Sequence, residues 1–170
     1  MGLPVSSVVA NIFMMNFEKR ALRLAVHFEP RLWKRYVDDV FSIKKKINTE
    51  RLLTHINDID ANIRFTIERE HESLLPFLDV SVKRKGGQIK TSVYRKPTYT
   101  CHVLNFDSHH SSASKRAVVR TLMDRVISHI DVEDSEERGM EREKVIETLQ
   151  SNGYPVSFIL DVERKKLRKL

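Results

Sequence analysis

Two adjacent carboxylates, Asp38 and Asp39, interrupt a stretch that otherwise reads as paired strands, Leu32-Trp33-Lys34-Arg35 before them and Val40-Phe41-Ser42-Ile43 after. Neighbouring carboxylates repel each other and resist burial. The polar pair breaks the apolar run, and the segment fits a short hairpin with Tyr36-Val37-Asp38-Asp39 at its tip. Tyr36, Phe41 and Ile43 are strand formers on the two flanks. A divalent cation relieves the repulsion, and hard oxygen ligands suit magnesium. Asp38 and Asp39 are therefore candidate metal ligands, although four residues alone also fit a plain polar turn.

The chain has 170 residues, 41% of them hydrophobic, enough for one domain or for a small core with an appendage. Five glycines and five prolines argue against a disordered chain. The net charge of +7 suits a polyanionic partner. The surplus is uneven: residues 1–110 carry 18 Lys/Arg against 12 Asp/Glu, and residues 111–170 carry 12 against 11. Cys101 is the single cysteine, which excludes a disulfide framework and a cysteine-rich zinc site. The N-terminus lacks a basic start, and Asn11 and Asn16 break its apolar run, so no signal peptide is expected. No apolar run is long enough to span a membrane. These features predict an intracellular protein, nuclear or cytoplasmic, with no membrane partner.

Periodicity divides the chain. Val8, Val9, Ile12, Phe13 and Phe17 recur at helical spacing and predict a helix over about 7–26. Pro30 separates it from the aspartate hairpin. Thr49 is the expected cap of a second helix with Leu52, Leu53, Ile56 and Ile59 on one stripe. Ile63, Phe65 and Ile67 alternate with polar residues and predict a half-buried strand. Leu78, Val80 and Val82 predict another, paired with Ile89, Thr91 and Val93 across Lys85-Gly86-Gly87-Gln88. Gly86-Gly87 suits a primed turn, which needs positive φ at both central positions.

After Pro97 the pattern becomes helical. Val118, Leu122, Val126 and Ile130 fall four apart on one face. Asp134 and Glu137 have capping-box spacing ahead of a helix bearing Val145, Ile146 and Leu149. Asn152-Gly153 ends that helix, and Pro155 opens a third through Phe158, Ile159 and Val162.

An ordered series of motifs accompanies these elements. Met1, Gly2, Pro4, Ser6 and Asn11 match a Met-Gly-Ser-Pro-Leu-Ser-Pro pattern followed by a helix, from which Leu3, Val5 and Ser7 depart. Further matches are Tyr36-Val37-Asp38-Asp39, Leu75-Pro76-Phe77-Leu78-Asp79-Val80, Val93-Tyr94-Arg95-Lys96-Pro97-Thr98, Ser108-His109-His110, Lys115 to Leu122, and Asn152-Gly153-Tyr154-Pro155. In this order the chain resembles the C-terminal half of a reverse transcriptase of a Penelope-like retroelement. The resemblance implies an α+β fold: a partial polymerase palm over 1–97 (helix, Asp-Asp hairpin, helix, antiparallel strands), then a three-helix thumb-like subdomain over 98–170. The latter also resembles the helix-turn-helix module associated with these elements.

The resemblance also implies roles. Asp38, with Asp39 less directly, is a ligand for Mg2+ or Mn2+ in two-metal nucleotidyl transfer, in which one ion activates the primer 3′ hydroxyl and the other neutralises the triphosphate leaving group. The partners are an RNA template, a DNA primer and deoxynucleoside triphosphates. Tyr36 packs on the nucleotide or primer, Val37 points into the palm, Gly2 lets template–primer approach the backbone, and Ser6 or Ser7 caps the helix. The family's first palm strand, with a further aspartate, and its fingers precede the Met-Gly motif at which this sequence begins. A fragment inactive alone is therefore expected, with a non-catalytic nucleic-acid-binding module as the alternative.

Lys83, Arg84, Lys85, Lys90, Arg95 and Lys96 flank the Gly-Gly turn with no acid between them. Such a cluster neutralises phosphates without reading sequence, and Tyr94 and Tyr99 can stack on a base or sugar. This is the position of a primer-gripping hairpin in related enzymes. Lys115, Arg116 and Arg120 form a second basic group that fits phosphate contact or an ordinary solvated face. Asp79, among apolar neighbours, is expected to serve a structural hydrogen bond. Cys101, His102, His109 and His110 do not have the spacing of a common zinc site.

Overall fold

The computed structural model describes residues 4–168, so Gly2, with Met1 and Leu3, lies outside the described residues. The fold is α+β, with five α-helices and two small antiparallel sheets among those residues. The chain divides into two compact units, Met1–Arg69 and Glu70–Leu170. Each sheet belongs to a different unit, and the layout is not specifically that of a polymerase palm.

Unit 1 begins with α1 (Pro4–Leu24), followed by the hairpin β1 (Leu32–Tyr36) and β2 (Asp39–Ile43) and by α2 (Thr49–Asn57). Its core consists of Phe17, Ala21, Ala25, Leu52 and Ile56, with Trp33, Phe28 and Phe65 packed around them. Only the C-terminal half of α1 reaches this core. Of the predicted α1 stripe, Phe17 is buried, whereas Val8, Val9, Ile12 and Phe13 are about half exposed. Thr49 is not the cap of α2; that position is Asn48, whose side chain makes no capping bond, and Thr49 is the first helical residue.

The strand predicted over 63–67 does not form. Phe65 stacks on Phe17 with ring centroids 5.7 Å apart, but its backbone pairs with a side chain rather than a strand. Asn57 Oδ1 accepts from Phe65 N at 2.7 Å, and Asn57 Nδ2 donates to Phe65 O at 3.1 Å. The amide thus takes both backbone groups that a neighbouring strand would otherwise satisfy.

Unit 2 opens with a meander of β3 (Leu74–Phe77), β4 (Val80–Lys85) and β5 (Gln88–Val93). Leu78 lies outside the predicted strand: with Asp79 it forms the two-residue turn between Phe77 and Val80. Pro76, which has no N–H to give, sits on the edge strand β3. At the next turn Lys85 faces Gln88, and Gly86 and Gly87 have φ of 58° and 80°, as the primed turn requires.

Three helices complete unit 2: α3 (Ser112–Ser128), α4 (Ser135–Ser151) and α5 (Val156–Leu167). Ser111 Oγ accepts from Ser114 N at the start of α3, and Asp134 accepts from Glu137 N at the start of α4. The predicted α3 stripe is rotated by about one residue. Val119, Met123, Val126 and Ile130 are buried, while Val118 and Leu122 pack at the margin. Val145, Leu149, Tyr154, Ile159 and Val162 close the core.

The sequence places a boundary at 97–98, whereas the compact units divide between Arg69 and Glu70. Contacts across 97–98 bind sheet to helices. Asp131 Oδ2 accepts from Thr91 N at 3.0 Å, Lys90 donates to Asp134 at 3.2 Å, and the Arg95 guanidinium grips Glu141 through both of its oxygens.

Candidate nucleic-acid interface and the aspartate turn

The aspartate turn follows from the pairing of β1 with β2. Tyr36 faces Asp39 in the register, leaving Val37-Asp38 as a two-residue loop. Val37 has φ of 56°, a conformation that costs a β-branched residue of order 1–3 kcal/mol. It does not point into a packed interior but is 69% exposed. Asp38, Asp39 and Tyr36 are exposed as well.

A polar cluster on α1 holds the strand that leads into this turn. Glu18 Oε1 accepts from Trp33 Nε1 and from Arg35 Nε, each at 2.9 Å. Arg35 Nη2 donates to Asn11 Oδ1 at 2.9 Å, and Nη1 donates to Val37 O at 3.0 Å. Arg35 therefore ties helix, strand and turn carbonyl together. Its ion pair with Glu18 is largely removed from water, with side chains 10% and 15% exposed. Sequence reasoning overlooked this cluster. The available signal was a helix whose only acid, Glu18, lies seven residues after Asn11 and thus on the same face.

Set against a two-metal site, Asp38 and Asp39 are two carboxylates at an exposed tip. Among the described residues no three His, Cys, Asp or Glu side chains gather within reach of one ion. Two carboxylates fall short of the ligand set that two-metal transfer uses. Ser6 lies inside the first turn of α1, two residues after Pro4, and so is not its cap.

The basic groups separate into those taken by internal partners and those left to solvent. Arg84 pairs with Glu70, Lys90 with Asp134 and Arg95 with Glu141. Arg95 also lies over the Tyr99 ring, 5.6 Å from its centroid. Glu141 raises the Arg95 pKa, and the Glu141 side chain is 4% exposed, so this guanidinium is a structural clamp. Lys83, Lys85 and Lys96 are exposed and have no ion pair among the described residues. Tyr94 is half-buried and donates its N–H to Asp79 O. Asp79 has the structural role expected of it, its carboxylate accepting from Arg125 Nη2 at 2.8 Å.

On α3, Lys115 lies over Phe106 at 5.1 Å and Arg116 over Phe158 at 5.6 Å. Arg120 is exposed and makes no ion pair among the described residues. Lys166 pairs with Asp124, and its pKa is lowered by burial first and by the charge of Arg120 second. By contrast α4 bears five acids against three bases. Its Arg142 is bound to Glu163, and Arg138 donates to the carbonyls of Ile127 and Ile130.

Between α4 and α5 lies a four-residue turn, 152–155. Gly153 has φ of 84°, and Asn152, 7% exposed, anchors the preceding loop through Cys101 O and Val103 N. Two helices joined this way have the form of a helix-turn-helix. Among known proteins, residues 102–162 match the family described as the animal helix-turn-helix domain. That match takes in α3, α4 and α5 as far as Val162. No curated protein and no solved structure matches the chain. No helix among the described residues is long and apolar enough to cross a membrane.

Proposed function

We propose that the chain is a nucleic-acid-binding segment of a retroelement reverse transcriptase, holding its partner by phosphate contacts that tolerate any sequence. One observation carries this reading: the helix-turn-helix match falls in the same compact unit as six exposed or half-exposed cations that make no ion pair among the described residues, Lys83, Lys85, Lys96, Lys115, Arg116 and Arg120. Cations free of internal ion pairs remain available to displace counterions from a polyanion. The leading turn of α5 supports sequence tolerance. Val156 and Ser157 are its exposed residues, and neither is one of the Arg, Asn or Gln side chains that read base edges bidentately. Fluorescence anisotropy of the whole chain with a primed RNA–DNA hybrid, at two salt concentrations, tests the reading. Binding that weakens steeply with salt and is indifferent to base sequence is expected; no binding at low salt refutes it.

A second reading, that the aspartate turn belongs to a polymerase site for Mg2+ or Mn2+ and deoxynucleoside triphosphates, is favoured by the two-residue hairpin and the strained Val37 beneath Asp38. Metal at this turn would neutralise its two carboxylates, and Arg35 would keep the turn carbonyl in place. Completing the ligand set needs a carboxylate from another segment. The chain alone is therefore expected to give no primer extension with RNA template and either metal. Processive extension abolished by Asp38→Asn would mean that the site completes itself.

A further inference from the structure

Helices α3 and α5 run side by side in the same direction: Arg116 lies over Phe158, and further along Asp124 pairs with Lys166. Two carboxylates lie along this seam: Asp124 pairs with Lys166 and Asp161 with Lys165, and the charges of Arg164 and Arg116 also act on Asp161. Arg116 and Arg120 are left exposed with no ion pair among the described residues, one turn apart on the same face. The charge of Arg120 acts on Lys166, a like-charged side chain that is 14% exposed. Asp124 offsets one of these charges, and with Asp161 it leaves the four cations Arg116, Arg120, Lys165 and Lys166 a positive surplus that favours an anion. Arg116 lies over the Phe158 ring, 5.6 Å from its centroid, a contact that restricts the guanidinium and lowers the entropic cost of ordering it on binding.

Resting on the nucleic-acid reading above, we infer that the α3–α5 seam, through Arg116 and Arg120, is the seat of a phosphodiester backbone, and that α4 faces away from the nucleic acid. The partner class is a nucleic acid whose adjacent phosphates span one helical turn. The seam itself does not distinguish DNA from RNA, because phosphate contacts carry no base information. The β4–β5 hairpin is the competing surface within the same unit, and three of its six cations are already engaged by Glu70, Asp134 and Glu141.

The test is anisotropy of the full chain with fluorescent DNA duplex, RNA–DNA hybrid and single-stranded RNA, each titrated across salt. Loss of two phosphate contacts in Arg116→Ala/Arg120→Ala should flatten the slope of log affinity against log salt by about 1.8 and weaken duplex binding about sixtyfold near 0.1 M monovalent salt. Arg116→Lys/Arg120→Lys, which keeps both charges, should retain most of the affinity, and Lys144→Ala on α4 should lie within about twofold of wild type. Melting by circular dichroism establishes that each variant is folded.

An unchanged slope in the alanine pair, with loss in Lys83→Ala/Lys85→Ala, moves the seat to the hairpin; it overturns this inference and leaves the nucleic-acid reading standing. A lysine pair as weak as the alanine pair overturns the charge argument. Polyglutamate competing as strongly as DNA at equal charge overturns the phosphodiester assignment. No binding by the wild-type chain removes both readings.

Discussion

Asn152→Ala isolates what one buried amide does for unit 2. The backbone at this position has φ of −99° and ψ of 19°, which alanine adopts without strain, and the bonds from Asn152 N to Leu149 O and from Phe106 N to Asn152 O survive the change. Four side-chain bonds are lost: Oδ1 from Val103 N at 3.1 Å, and Nδ2 to Cys101 O at 2.8 Å, to Thr148 O at 2.7 Å and, more weakly, to Ser151 Oγ at 3.4 Å. Each of the shorter bonds contributes about 1 kcal/mol net, and leaving Val103 N–H and Cys101 C=O without this partner adds to the loss where water does not reach them. The expected cost is about 2–3 kcal/mol, a large share of a typical domain stability of about 5–15 kcal/mol. For a unit of this size it corresponds to a melting temperature lowered by roughly 10–20 °C. Urea unfolding followed by far-UV ellipticity measures it, and Trp33, the single tryptophan, reads unit 1 separately. Asn152→Asp keeps the acceptor for Val103 N but turns a carboxylate toward two carbonyls, so it should be no more stable than the alanine variant. A change below about 0.5 kcal/mol in Asn152→Ala would show that the 101–106 loop is not held by this amide.

The remaining predictions concern other links. Val37→Gly should stabilise unit 1 by about 1 kcal/mol by relieving the positive φ, as read by Trp33 fluorescence in urea; a loss of stability would place the cost elsewhere. Glu141→Ala strands Arg95 without its carboxylate and should cost about 2–4 kcal/mol in far-UV unfolding, with Glu141→Gln milder because one hydrogen bond remains. The Asp134 carboxyl is held below its usual range by the capping N–H of Glu137 first and by Lys90 second. Its folded pKa lies under the unfolded one, so its contribution is complete above the unfolded value and is lost as pH falls through the folded value. The stability difference between wild type and Asp134→Ala should accordingly be flat above the usual carboxylate range and shrink as pH falls below it. Among the described residues both strands of the aspartate hairpin pair only with each other, so amides from Arg35 to Ile43 should exchange faster than those from Val118 to Ile130; equal protection would mean that the hairpin has a further partner.

Local chemistry determined much of this protein on its own. Two adjacent carboxylates between strand-forming flanks favour a hairpin turn, and Asp38 lies in that turn with Asp39 at the first position of β2. Gly86-Gly87 can carry two positive φ angles in succession, and Asp134 caps α4 because its side chain reaches Glu137 N three residues on. Asn152-Gly153 likewise ends a helix from local geometry. These features depend on a few neighbouring residues, so they were legible without a fold.

Tertiary structure decided what periodicity could not. Val8 to Phe13 have the spacing of a buried face yet lie exposed, because the core of unit 1 reaches only the later turns of α1. The alternation of Ile63, Phe65 and Ile67 is that of a strand, but Asn57 supplies the backbone partner, and a strand exists only where another strand pairs with it. The cations of the β4–β5 hairpin read in sequence as one basic surface. Folding brings Glu70, Asp134 and Glu141 to half of them and leaves Arg116 and Arg120 exposed on α3 with no ion pair among the described residues. A charge's role is set by its nearest opposite charge in space, and those partners lie 14 to 46 residues away along the chain.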